Sequence, residues 1–98
     1  MKNTNIAVVL PGEILQELYL APLDMSAGKL AKALDVPRTR IERLVKGQTA
    51  MTTDTALRLA KFFSTTPLYW MNMQTQYDLA TDGEKLDLST VKTLEVAA

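Results

Sequence analysis

Between Ser26 and Lys46 apolar residues recur at three- and four-residue spacing in two successive runs, with a break between them. In the first run Leu30, Ala31 and Leu34 share one side of a helix. Asp35-Val36-Pro37 interrupts it, because the residue before a proline is pushed out of the helical region. The second run restarts at or beside Pro37. It places Ile41, Leu44 and Val45 on one side and Thr39, Arg43 and Lys46 on the other. Gly47 supplies the left-handed stop that commonly ends a helix.

The same periodicity predicts three further helices. Pro11-Gly12-Glu13 opens one that runs to about Leu20, with Ile14, Leu15 and Leu18 to bury, and Ala21-Pro22 ends it. Ser26 is placed to cap the helix that reaches Leu34. Thr52 or Thr53 caps a fourth, with Asp54 in its first turn and Ala56, Leu57, Leu59, Ala60 and Phe63 as its buried stripe. Thr66-Pro67 begins a fifth that carries Leu68, Trp70, Met71, Met73 and Tyr77. Ile6 to Leu10 reads as a brief strand or an extended arm. After the turn signal Thr81-Asp82-Gly83, Leu86 and Leu88 alternate like a strand while Val91 and Leu94 are spaced like a helix. The expected fold is all-α: a five-helix domain over residues 1–98, with a core at about 11–79, a short N-terminal arm and a C-terminal tail (80–98) of open structure.

A chain of 98 residues that is 47% apolar can build one core without covalent staples. It has no cysteine and no histidine, which removes disulfides, thiolate metal sites and histidine bases. Nor is there a glycine-rich phosphate loop or a clustered carboxylate pair, so no enzyme, metal or cofactor is expected. No apolar run approaches the roughly 20 residues that span a bilayer, and the apolar stretch in MKNTNIAVVLPGE is too short for a secretory signal. The reducing cytoplasm is the expected compartment, and no membrane partner is expected.

Charge changes the picture through its distribution. The formal net charge is zero, from 11 basic and 11 acidic residues. From Ser26 to Phe63, however, Lys29, Lys32, Arg38, Arg40, Arg43, Lys46, Arg58 and Lys61 face only Asp35, Glu42 and Asp54. A basic middle between acidic ends suggests one surface for phosphates and another for a different partner.

Two short helices joined tightly, the second with one stripe buried and a basic stripe free, form the layout of a helix-turn-helix (26–46). In that motif the second helix enters the DNA major groove by its N-terminal half. Arginine can donate a bidentate pair to guanine, and threonine can meet polar base edges or a thymine methyl, so Arg38, Thr39 and Arg43 are the candidate base readers. Lys29, Arg40, Lys46, Gln48 and Thr49 are the candidate contacts to the DNA backbone. An ordinary amphipathic surface helix produces the same two stripes, and periodicity alone leaves both readings open. Glu42 would repel phosphates unless it accepts from a cytosine amino group or pairs with Arg38 or Lys46.

Three segments carry a more particular resemblance: PGEIL, KLAKALDVPRTRIERLVKGQTAMT and DTALRLAKFFSTTPLYWMNMQTQYDL. Together they resemble the HigA family of antitoxins, within the XRE class of repressor-like helix-turn-helix proteins. The likeness runs from about Pro11 to Leu79. The pattern Thr-Pro-x-x-Trp-x-x-x-Gln, here Thr66, Pro67, Trp70 and Gln74, followed by Tyr77-Asp78-Leu79, is its most specific part. Family members usually have histidine before Pro-Gly-Glu, where this chain has Leu10.

The resemblance implies a homodimer that binds an operator in its own promoter and neutralises a HigB-type toxin, an mRNA-cleaving ribonuclease. It assigns Arg38, Thr39, Arg40 and Arg43 to the operator. Trp70 is read as structural, since a tryptophan on an apolar helical face is more often core than binding site. Glu13, Glu17, Asp24, Asp78, Asp82, Glu84, Asp87 and Glu95 are the candidate surface for a basic toxin. A free-standing regulator without a toxin, and an interaction module that no longer reads DNA, are the alternatives.

Overall fold

The computed structural model describes residues 9–95; the strand or arm expected from Ile6 falls, up to position 8, outside the described residues. Five helices follow one another: α1 (11–23), α2 (Ala27–Leu34), α3 (Arg38–Val45), α4 (Thr53–Phe63) and α5 (Pro67–Lys85). No strand occurs among the described residues, and no helix there is long and apolar enough to cross a membrane. The chain is all-α, as its periodicity predicts.

Side chains start three of these helices. Ser26 Oγ accepts from Lys29 N at 3.0 Å, Thr52 Oγ1 from Thr55 N at 3.3 Å, and Thr66 Oγ1 from Tyr69 N at 3.1 Å. Each such cap contributes about 1 kcal/mol by satisfying a donor that the helix leaves free. At the other ends the backbone turns left-handed at Asp24, Asp35 and Ser64 (φ 52°, 60° and 58°), and Gly47 does so at φ 74° beyond α3. Leu10 starts α1 through its main chain alone, its carbonyl accepting from Glu13 N at 3.0 Å and Ile14 N at 3.3 Å. The cap therefore makes no demand on the Leu10 side chain.

α1 departs from expectation in two linked ways. It continues through Ala21-Pro22 to Leu23, and its middle, Leu15–Leu20, is wound as a π-helix. Ala21 N donates to Gln16 O five residues back. In a regular α-helix the Pro22 ring would press on the carbonyl four residues earlier, and the wider turn gives it room. The same winding brings Leu15 and Leu20, five apart, onto the inner face, where both are buried. Leu18, expected inside at α-helical spacing, is turned out and is 61% exposed.

The core comprises Leu15 and Leu20 of α1, Leu30, Ala31 and Leu34 of α2, Ile41 and Leu44 of α3, Met51, Ala56, Leu59 and Ala60 around α4, and Trp70 of α5. Leu57, expected in a buried stripe, is exposed, and so is Leu68 of α5. Leu57 lies off the inward arc set by Ala56, Leu59 and Ala60. Leu68 lies off the arc set by Trp70 and Gln74, the two buried residues of α5. Trp70 packs against Tyr69 and Tyr19 with ring centroids 5.0 and 5.1 Å away, and its Nε1 donates to Thr65 Oγ1 at 2.8 Å. Tyr19 donates its hydroxyl to Tyr69 at 3.1 Å, and burial, with that hydrogen bond, pushes its pKa up to about 12.

α5 runs through the expected turn at Thr81-Asp82-Gly83 as far as Lys85. Thr81 Oγ1 donates back to Tyr77 O at 3.0 Å, which keeps that threonine inside the helix. One exposed glycine costs a helix about 1 kcal/mol and does not end it. Beyond Lys85 the described tail forms neither strand nor helix, and Leu86, Leu88, Val91 and Leu94 stand between 59% and 83% exposed.

Candidate nucleic-acid interface

α2 and α3 meet through a joint closed by backbone hydrogen bonds: Asp35 N to Lys32 O at 3.2 Å, Val36 N to Ala31 O at 3.0 Å, and Arg40 N to Pro37 O at 3.1 Å. The left-handed Asp35 reverses the chain, and Pro37, extended at ψ 144°, leads into α3. Ile41 and Leu44 then anchor α3 in the core. Thr39 and Arg43, on the opposite side, are exposed.

Thr39, Arg40, Arg43 and Thr49 line one concave surface together with Pro37, Thr52 and Asp54. Four of the eight candidate DNA residues are thus brought together. The stem of Arg38 lies over the start of α2, so close that a Cβ at Gly28 would stand 3.0 Å from its Cδ. Lys29, next in sequence, is exposed at the same edge. Lys46 closes the far end of α3, and Gln48 follows, its N–H donating to Arg43 O at 2.9 Å.

Ion pairs separate the arginines of α3. Arg38 Nε meets Glu42 Oε2 at 3.3 Å, which resolves Glu42 as a partner within its own helix. Arg40 pairs with Asp54. Arg43 has no ion-pair partner among the described residues. Of the three, it is the one whose guanidinium is free to find a ligand outside the protein.

Three residues that hold this surface in place were not legible as such. Gln74 is buried in α5, and its Oε1 accepts from Met51 N at 2.7 Å, pinning the loop that carries Gln48 and Thr49. Its Nε2 donates to Asp78 Oδ1 at 2.9 Å. The glutamine of the Thr-Pro-x-x-Trp-x-x-x-Gln pattern is therefore a clamp on the loop after α3. Arg58 donates Nε to Asp54 Oδ2 at 3.0 Å and Nη1 to Leu34 O at 2.8 Å. Asp54 is held below the usual carboxylate range by Arg58 first and Arg40 second. The spacing of Asp54 and Arg58 at i, i+4 was the available signal for that pair.

The family described as Helix-turn-helix matches residues 15–70 of this chain. The antitoxin HigA-1 of Vibrio cholerae is 33% identical over 79 residues, covering 81% of this chain and 74% of that protein. The chain belongs to the helix-turn-helix family, in its HigA group. Another relative, Virulence-associated protein I of Dichelobacter nodosus, is 54% identical over 69 residues. That match covers 70% of this chain and spans 64% of the relative's length. Among solved structures, Pseudomonas aeruginosa antitoxin HigA with the higBA promoter superimposes with a TM-score of 0.81 at 34% identity. It covers 89% of this HigA-type chain and 99% of its own.

Proposed function

We propose that this chain is a sequence-specific DNA-binding antitoxin of a HigBA-type system. As a homodimer it binds an operator in its own promoter and represses its operon, and it neutralises a HigB-type ribonuclease. The observation that carries the DNA reading is the free guanidinium of Arg43 beside Thr39, on a helix whose other side is anchored by Ile41 and Leu44. The likeness to a HigA solved with promoter DNA supports it. Arg38, Thr39 and Arg43 read bases. Lys29, Arg40, Lys46, Gln48 and Thr49 meet the DNA backbone.

Fluorescence anisotropy against the chain's own promoter, at several salt concentrations, tests this. Specific binding weakens with salt, by about 0.9 in the slope of log affinity against log salt for each phosphate neutralised. Arg43→Ala costs about 1–3 kcal/mol and relaxes the preference at one base position. A loss of equal size on every sequence would move Arg43 to the backbone contacts.

The toxin surface follows from charge. Glu13, Glu17, Asp24, Asp78, Asp82, Glu84, Asp87 and Glu95 are all exposed and lie outside the basic segment. Charge reversal at Glu13 and Glu17, and separately at Asp82, Glu84 and Asp87, weakens capture of a copurified basic toxin in at least one set. Undiminished capture by both variants would remove the acidic ends from the toxin interface.

A further inference from the structure

Asp54 stands on the rim of the concave surface that carries Thr39, Arg40 and Arg43, although it belongs to α4. Its Oδ2 receives two guanidinium groups, Arg40 Nη1 from α3 and Arg58 Nε from one turn further along α4. Arg58 is itself fixed from another direction, since Nη1 donates to the carbonyls of Leu34 at 2.8 Å and Asp35 at 3.5 Å, where α2 ends. The carboxylate is therefore held by α2 through Arg58, and Arg40 is the one movable member of the chain. The carboxylate offsets the charge of an arginine so engaged and repels an approaching phosphate, whichever of its remaining N–H groups the arginine presents.

We infer that Asp54 is a specificity-determining residue of the DNA surface: by holding Arg40 it withdraws one cation per protomer from sequence-blind attraction to phosphates. Arg40 meets the backbone in full only where Arg38, Thr39 and Arg43 have seated α3 on the operator, so discrimination stays with those base readers. Sequence-blind affinity grows with each phosphate neutralised, so a contact withheld from sequence-blind binding and made on the operator widens the ratio between operator and other DNA. Arg38 is paired with Glu42 on the same helix, so each of the two arginines that precede the free Arg43 on α3 also meets an acid within the protein. The inference rests on the DNA-reading function proposed above.

The test compares wild type, Asp54→Asn and Arg40→Ala/Asp54→Asn by fluorescence anisotropy on the chain's own promoter duplex and on a scrambled duplex of equal length, across a salt series. The asparagine side chain keeps an acceptor for Arg58, and thermal melting of each variant reports whether the fold is retained. Asp54→Asn is expected to bind the scrambled duplex about two- to fivefold more tightly, the scale of one exposed ion pair released. On the scrambled duplex its salt slope steepens by about 0.9 per protomer, and the promoter-to-scrambled ratio falls. The double variant returns both slope and scrambled affinity to wild-type values. A folded Asp54→Asn with unchanged slope and unchanged or weaker scrambled binding would overturn the inference, as would a gain that persists without Arg40. A wild type that fails to prefer its promoter overturns the DNA reading itself, whatever the variants do.

Discussion

Trp70→Ala is expected to destabilise the protein by about 3–5 kcal/mol, the usual cost of deleting a large aromatic side chain from a core. Trp70 is fully buried, and three aromatic rings, Tyr19, Phe63 and Tyr69, have centroids between 5.0 and 6.5 Å from it. Alanine leaves a cavity among rings that belong to three helices and cannot all close on it. It also removes the Nε1 donor to Thr65 Oγ1. For a domain of this size each kcal/mol lowers the melting temperature by about 4–8 °C, so calorimetry should show a fall of about 12 °C or more. Trp70→Phe keeps most of the volume and falls less. Because Gln74 stands one turn beyond Trp70 and holds Met51, the loss extends to the loop after α3. Should Trp70→Ala melt within a few degrees of wild type yet lose a binding partner, the tryptophan would be a contact residue and not core.

What could be read in the sequence was whatever a residue does to its own neighbourhood. Ser26, Thr52 and Thr66 cap helices by bonding three residues ahead, and Gly47 turns left-handed for want of a side chain. The apolar stripes of α2 and α3 follow from regular α-helical period, and with them the exposure of Thr39 and Arg43. The π winding of α1 breaks that period. The rule that turns Leu18 inward holds for 3.6 residues per turn and fails for a wider one. Likewise Thr81-Asp82-Gly83 has turn composition, but α5 is already nucleated from Thr66 and anchored by Trp70 and Gln74, so propagation through one glycine is cheap. The candidate site was legible in which residues face outward and opaque in which are already spoken for. Arg40 meets an acid 14 positions away, and Met51 an amide 23 positions away, separations at which no local pattern operates.

Gly12→Ala should be damaging for a reason that composition does not disclose. α1 lies so close to the end of α3 that a Cβ at position 12 would overlap Leu44 O and stand 2.7 Å from Leu44 C. Both obstacles are backbone, so neither can rotate aside. Leu44 O also accepts from Gly47 N at 3.0 Å, within the turn that closes α3. To admit one methyl group, α1 must lift from α3 or the end of α3 must shift. Overpacking of side chains costs about 1–3 kcal/mol, and a clash between two main chains belongs at or above the top of that range. Arg43 immediately precedes Leu44, so a shift that relieves the clash also re-aims the free guanidinium. Gly12→Ala should therefore lose about 3 kcal/mol in urea denaturation, and its folded fraction should bind promoter DNA more weakly than wild type. Gly83→Ala provides the contrast, since nothing lies within 4 Å of a Cβ there. In an exposed helix interior that change stabilises by up to about 1 kcal/mol. Equal effects from the two glycines would mean that helix propensity alone is at work, and that α1 does not set the position of α3.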